Sequence, residues 1–383
     1  MAMTQEPFGD IPLFREIQKL MASGGGPVNF EIARQVALAV ASQGAPDPPV
    51  DPSVTRSLAQ HVRRGEVLIS GYTRLPFDEP VRSDVFGTAA WIRSTLGGWR
   101  WILEHLARSF ATEITKLGAQ SAGGADPMGA ALTQVGPLLM GMQVGTLIGQ
   151  LAKESLGRYD LPVPREDDRH LFFVAPNIER IASEYGLERD AFHAWLALHD
   201  VGRHLVLSSV PWVHPYFKSL LAEVVDAIEI DVSDLERRFV ELQSKGMEAL
   251  QEGVGGGNLL PVVPTERHRR ALERLRSFLA LFEGYASHAV DAVAIEVLDD
   301  RARIEEGMAR RRAARSEGES LLAAVLGISV DRALENAGST FCSAVVQLEG
   351  IAALNRAWDA PDNVPSAEEI KDPFTWMERQ ADP

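Results

Sequence analysis

Between Pro127 and Ala152 the chain carries no charged residue. A segment this long and apolar has two ways to leave water: it crosses a bilayer, or the rest of a protein encloses it. Gly141, Gly145 and Gly149 form a ridge of small residues that lets another helix approach closely in either setting. Gln134, Gln143 and Gln150 decide between the two. Three amides in hydrocarbon would each need an internal partner, and the glycines dilute the hydrophobicity that drives insertion. The segment therefore reads as the buried central helix of a bundle, with membrane association as the alternative.

The rest of the chain is patterned to match. Apolar residues recur three and four apart over 30–42, 89–116, 189–207 and 265–298, the spacing of amphipathic helices. In the last run Leu272, Leu275, Leu279, Phe282, Ala286 and Val290 share one face. Strand signals are sparse, and Leu171-Phe-Phe-Val174 is the best of them. The expected fold class is mainly α. At 383 residues the chain exceeds the size at which one core keeps growing, so two regions or a core with an added layer are expected. Glycine and proline clusters divide it into a flexible segment over 1–26, an N-terminal helical region over 27–157 and a C-terminal one over 158–383. A linker falls at 118–129, a boundary at the two prolines of 160–164, and a flexible loop at 253–258.

Charge and cysteine usage remove several function classes. The formal charge is −15, from 53 acidic and 38 basic side chains, which argues against nucleic acid or anionic lipid as a partner. The arginine-rich run 301–315 interleaves with Glu305 and Glu306 and reads as a solvated helix face. Cys342 is the only cysteine, so the chain forms no internal disulfide and no thiolate-rich metal site, and its apolar surroundings place it in the core. The opening residues contain acids and no continuous apolar stretch, which points away from a secretory signal and toward a cytoplasmic protein. No Gly-x-Ser-x-Gly elbow, phosphate loop or dinucleotide fingerprint occurs.

One stretch could carry chemistry: Phe192-His-Ala-Trp-Leu-Ala-Leu-His-Asp-Val-Gly-Arg-His204. A helical His-Glu-x-x-His sets two imidazoles one turn apart to bind zinc, with the glutamate as general base. The phase of that motif here gives His199, Asp200 and Arg203. His204 comes one residue late, roughly 140° round the helix from His199. Trp195, one turn before His199, could line a pocket or simply pack.

Around this stretch stand Gly25-Gly-Pro-Val-Asn29, Val210-Pro-Trp-Val213, Ile230-Asp-Val-Ser-Asp-Leu235, Leu281-Phe-Glu-Gly-Tyr-Ala-Ser-His-Ala-Val-Asp291 and Leu354-Asn-Arg-Ala-Trp-Asp359 with Pro361, Asn363 and Pro365. In order and spacing this set resembles the bacterial zincin-like metallopeptidase family, whose members carry labels such as candidate hydrolase or deazaflavin-coenzyme biosynthesis-associated protein. The resemblance covers nearly the whole chain. It implies a zincin-like helical fold, hydrolysis of a peptide or amide bond, and zinc as cofactor. Position by position it makes His199 the first metal ligand, Asp200 the general base and Glu283 the third ligand.

The second ligand position is occupied by Arg203. A guanidinium has no free lone pair and stays charged, so it cannot ligate a metal. His199 and Glu283 fall one short of the three protein ligands of catalytic zinc sites. Asp200 is a methylene shorter than glutamate and would sit on the order of 1–1.5 Å further from a bound water. The expectation is that Arg203 replaces the ion and pairs with Glu283, leaving zinc-dependent catalysis impaired or lost. The alternative keeps the cleft as a non-catalytic binding or scaffold surface for a peptide or small molecule. A rearranged metal site could recruit His204 or His288 as auxiliary ligands; with His193 and His214 these otherwise read as structural.

Overall fold

The structure is a computed structural model describing residues 26–381, apart from 43, 78, 122–126, 167–169, 231–261, 264, 296, 299, 315–316 and 327–331. The flexible segment expected over 1–26, except Gly26, and the loop expected at 253–258 lie outside these residues.

The uncharged segment forms a single helix. Helix α1 (Phe30–Ser42) packs against α5 (Pro127–Ala152) along the glycine ridge. A Cβ at Gly141 would stand 2.5 Å from the Asn29 carbonyl oxygen, one at Gly145 2.7 Å from that of Ala33, and one at Gly149 2.7 Å from Val40 Cβ. Only hydrogen side chains permit this approach. Asn29 sets the register: its N–H donates to Pro137 O at 2.9 Å, and its side chain accepts from Ile32 N at 3.1 Å. Among the described residues no helix is long and apolar enough to cross a membrane.

Between these two helices come α2 (Pro52–Thr73), β1 (Ser83–Phe86), α3 (Thr88–Gly98) and α4 (Arg100–Ser121). The run expected to be continuous over 89–116 breaks at Trp99, whose buried indole donates to Val163 O at 3.2 Å. The linker expected at 118–129 is shorter than that, because α4 continues to Ser121 and α5 begins at Pro127. After α5, strand β2 (Leu171–Val174) pairs parallel with β1, Ser83 opposite Leu171. The second half then runs through α6 (Ala175–Tyr185), α7 (Arg189–Ser209), α8 (Val213–Asp226), a two-residue antiparallel pair β3 (Glu229–Ile230) and β4 (Val262–Val263), and α9 (Glu266–Ala294). It ends with α10 (Arg301–Ala313), α11 (Glu317–Leu326), α12 (Arg332–Glu349), α13 (Ile351–Asn355), two 3-10 turns, α14 (Ala367–Lys371) and α15 (Pro373–Ala381). The fold is mainly α, as the periodicity predicts.

Two apolar cores hold these elements, and each draws residues from both sides of residue 157. Val28, Trp91, Ile148 and Leu151 share one core with Phe217, Phe278, Phe341 and Trp358. Leu58 and Ile69 of α2 share the other with Phe173, Leu198 and Val290. Helix α9, capped by Thr265 accepting from His268 N at 3.2 Å, is the spine common to both. It crosses α7 where Gly202 faces Ala286, and it crosses α12 where Gly284 meets Gly338. A Cβ on Gly338 would fall 1.8 Å from Ala280 O, inside the backbone of α9. We therefore expect Gly338→Ala to force the helices apart and to cost about 1–3 kcal/mol or more, measured by urea unfolding.

The motifs quoted from the end of the sequence are clamps on this spine. Tyr285 Oη donates to Asn355 Oδ1 at 2.8 Å, and Asn355 Nδ2 donates to Thr73 O at 2.9 Å, tying α9 and α13 to the end of α2. The Trp212 indole donates to Trp358 O at 2.8 Å.

Candidate functional site

Helix α7 carries His199, Asp200 and Arg203, and its opening N–H groups are capped by the Glu188 carboxylate. Positions 199 and 203 are one turn apart, so both side chains leave the same face. That face looks across at Glu283 on α9. The Arg203 Nε donates to Glu283 Oε2 at 2.8 Å, and Nη1 lies 3.9 Å from Asp200 Oδ1, beyond hydrogen-bond reach. The side chains of Arg203 and Glu283 are 17% and 7% exposed, so this is a largely desolvated ion pair.

The wall opposite α7 comes from the irregular segment after α5. Gly157 approaches Asp200 so closely that a Cβ there would stand 2.5 Å from Oδ2, and the Arg158 N–H donates to that same oxygen at 3.1 Å. Asp160 and Arg311 hold the segment in place. Arg311 donates to Glu154 O at 2.6 Å and to Asp160 Oδ2 at 3.3 Å, while Asp160 accepts from Leu156 N at 3.1 Å. The stretch where two prolines suggested a boundary also contributes Asp160, Leu161 and Pro162 to the wall of the site. Arg311 departs from the solvated face expected of the run, with its side chain only 10% exposed, whereas Arg312 stays exposed while it pairs with Glu335 of α12 at 3.2 Å at the edge of the cleft. Alternating charge is a surface signal, and nothing in the run itself distinguishes these two from Arg310.

Together these groups enclose a cavity of about 400 Å³ lined by His199, Asp200, Arg203, Glu283, Trp195 and Glu335 among others. A second cavity of about 250 Å³ lies on the other side of Tyr159 and Glu283, which line both. His204 opens onto the smaller one, where Tyr159 Oη contacts its Nδ1 at 2.8 Å. The angular offset from His199 read in the sequence becomes a separation into two chambers. His288 is engaged at both ring nitrogens, by Tyr72 Oη at 2.7 Å and Ser343 Oγ at 3.0 Å. His193 and His214 are bonded to Ser57 Oγ and Arg165 O. None of the four lines the larger cavity.

The electrostatics follow from burial. Desolvation pushes the Asp200 carboxyl up to about 7, with Asp160 adding to the shift and Arg203 opposing it. Burial and then the Arg203 charge hold His199 well below the usual imidazole range, so the ring is neutral. Burial works against the charge on Arg203, but Glu283 and Asp200 outweigh it and bind the proton more firmly than water does. Burial raises Glu283 in turn, and Arg203 draws it back. Folding thus raises the Asp200 pKa above its ordinary 3.8. Its contribution is then most favourable at low pH and becomes a penalty as pH rises toward 7, at most about 4 kcal/mol. We expect Asp200→Asn to stabilise the protein by about 1–3 kcal/mol at pH 8 and to shrink the difference in urea stability between pH 5 and pH 8.

The donor set can be compared with a zinc site. His199 and Glu283 are ligand types, but the group between them is a guanidinium donating to the carboxylate a metal would need. Among the described residues no cluster of three or more His, Cys, Asp or Glu could hold a metal ion. These residues do not fit zinc.

Fold and site define a mainly helical protein with a buried ion pair at the base of a two-helix cleft. The sequence matches the family described as zincin-like metallopeptidase over residues 28–377, and the chain belongs to that family. Among solved structures it is similar to a protein from Chloroflexus aurantiacus described as a candidate hydrolase with a novel fold. That match has 27% identity and a TM-score of 0.63, and it covers 93% of this chain and 99% of that one. No curated protein matches the sequence.

Proposed function

We propose that this chain is a hydrolase-like member of the zincin-like family in which zinc-dependent catalysis is lost and the cleft is kept for binding. The family match and the neighbour described as a candidate hydrolase support the hydrolase-like part. The loss rests on one observation, the 2.8 Å contact of Arg203 Nε with Glu283 Oε2 at the position where the family has its second histidine. A permanent cation one turn from His199 does electrostatically what the metal would do for the Glu283 carboxylate, and it repels any metal that approached. Asp200 has no metal-bound water to deprotonate, and one of its oxygens is spent on the Arg158 N–H. The cleft is concave and lined by an apolar and aromatic wall together with convergent charged groups, which supports a ligand site.

The test is chelator response. Thermal unfolding midpoints with and without EDTA should coincide, and a mixed peptide library should be left uncut in both conditions. Chelator-sensitive cleavage would overturn the proposal.

A further inference from the structure

We propose that the larger cavity takes a compact organic acid, its carboxylate on the outer edge of the Arg203 guanidinium and beside His199, its apolar body against Trp195, Phe173 and Met308. The inference rests on the preceding reading, since an arginine at that position is what supplies the recognition edge.

Three observations carry it. Arg203 uses only Nε in its bond to Glu283, and Nη1 stops 3.9 Å short of Asp200 Oδ1. Its two Nη groups therefore have no protein hydrogen bond among the described residues, although the side chain is only 17% exposed. Four N–H donors of a fixed planar fork are left facing the cavity, the geometry that accepts a carboxylate end-on. Second, His199 lines the same cavity and makes no hydrogen bond within the described residues; its one close partner is the Trp195 ring, at 4.1 Å between centroids. Its imidazole offers an N–H to an acceptor. Third, the cavity has an apolar wall formed by Phe173, Trp195, Leu196, Met308, Leu322 and Ala323. About 400 Å³ suits a ligand the size of a substituted ring rather than a long chain.

The acids of the cavity pull the other way and have to be counted. Glu283, Asp160 and Glu335 each face a guanidinium, from Arg203, Arg311 and Arg312 at 2.8, 3.3 and 3.2 Å. These three pairs are neutral. Asp200 remains, and its Oδ2 already accepts from the Arg158 N–H. If Asp200 sets the preference, the ligand is a cation; if the open guanidinium edge sets it, the ligand is a carboxylate. The guanidinium edge lines the cavity with no protein acceptor among the described residues, whereas one oxygen of Asp200 is already occupied, which favours the carboxylate.

Titration calorimetry on the full chain with three probes of one shape separates these outcomes: benzoate, benzamide and benzylamine. Benzoate should bind tightest, by roughly 10- to 100-fold over benzamide, the worth of a charge-assisted hydrogen bond. Arg203→Gln made together with Glu283→Gln removes both charges without leaving one buried alone, and it should abolish that preference. His199→Phe should weaken benzoate roughly tenfold, giving a second reading that leaves the ion pair in place. Tighter binding of benzylamine, no binding of any probe, or benzoate binding unchanged in the paired variant would overturn the inference. Zinc analysis of the same sample keeps the two levels apart. Stoichiometric zinc would overturn the loss of the metal route itself, whereas a zinc-free protein that rejects benzoate sinks only the ligand class.

Discussion

Arg203→Met is expected to destabilise the protein by about 3–5 kcal/mol, because it leaves the Glu283 carboxylate buried without a counter-charge. The side chain of Glu283 is 7% exposed and its bond to Arg203 is the contact that compensates its burial. The partner change, Glu283→Met, should cost a similar amount by stranding the guanidinium beside Asp200. Both changes together should restore most of the loss, since two apolar side chains of similar volume can replace a buried pair at little cost. Urea unfolding of the four proteins forms a double-mutant cycle, and a coupling energy well above 1 kcal/mol is expected. A surface pair would give less than that. If the single variants lose only a few tenths of a kcal/mol, Arg203 and Glu283 do not depend on each other.

The second large effect runs in the opposite direction. Arg203→His returns an imidazole to the family's second ligand position, one turn from His199 and facing Glu283. Without metal this variant should be destabilised much as Arg203→Met is. With zinc at about 100 times its dissociation constant it should regain roughly 2.7 kcal/mol, and its unfolding midpoint should become chelator-sensitive. The wild-type midpoint should not move with zinc. Adding Asp200→Glu restores the length of the base side chain and provides a test of whether the old chemistry can be reached from this scaffold. A variant that folds but shows no zinc-dependent shift would mean that the α7–α9 geometry has drifted too far from a ligand arrangement to be rescued by one residue.

Long amphipathic segments were the most legible part of the sequence. The 30–42 and 189–207 patterns correspond to α1 and α7, which extends to Ser209, and the 265–298 pattern to α9, which ends at Ala294. Such helices bury one continuous stripe, so local spacing suffices to find them. The strands were a different matter. Leu171–Val174 is buried on both faces and stands out as an apolar run, whereas its partner Ser83–Phe86 is half-exposed and exists because β2 is there to pair with it. No window of sequence contains that information. The break at Trp99 depends in the same way on a distant carbonyl, Val163 O.

The site divides along the same line. His199, Asp200, Arg203 and Glu283 could be named from motif phase and family resemblance, and the structure brings all four to one cavity. Gly157, Asp160, Arg311, Arg312 and Glu335 could not, because each reaches the cleft from a segment whose own pattern says turn, boundary or surface. The close crossing of Gly284 and Gly338 explains how Glu335, one turn before Gly338, comes near a helix far from it in sequence. Trp195 falls between the two cases: its spacing from His199 was visible, and its ring contact with that histidine makes it a wall of the cavity as well as part of the core.

Elemental analysis of the protein purified from its native host without chelator or added metal bears most directly on the replacement of the ion by an arginine. Zinc far below one equivalent per chain, in wild type and in Asp200→Asn alike, is the predicted result. A full equivalent of zinc that disappears on changing His199 or Glu283 would contradict it, because it would mean that the cleft still holds the metal beside a guanidinium.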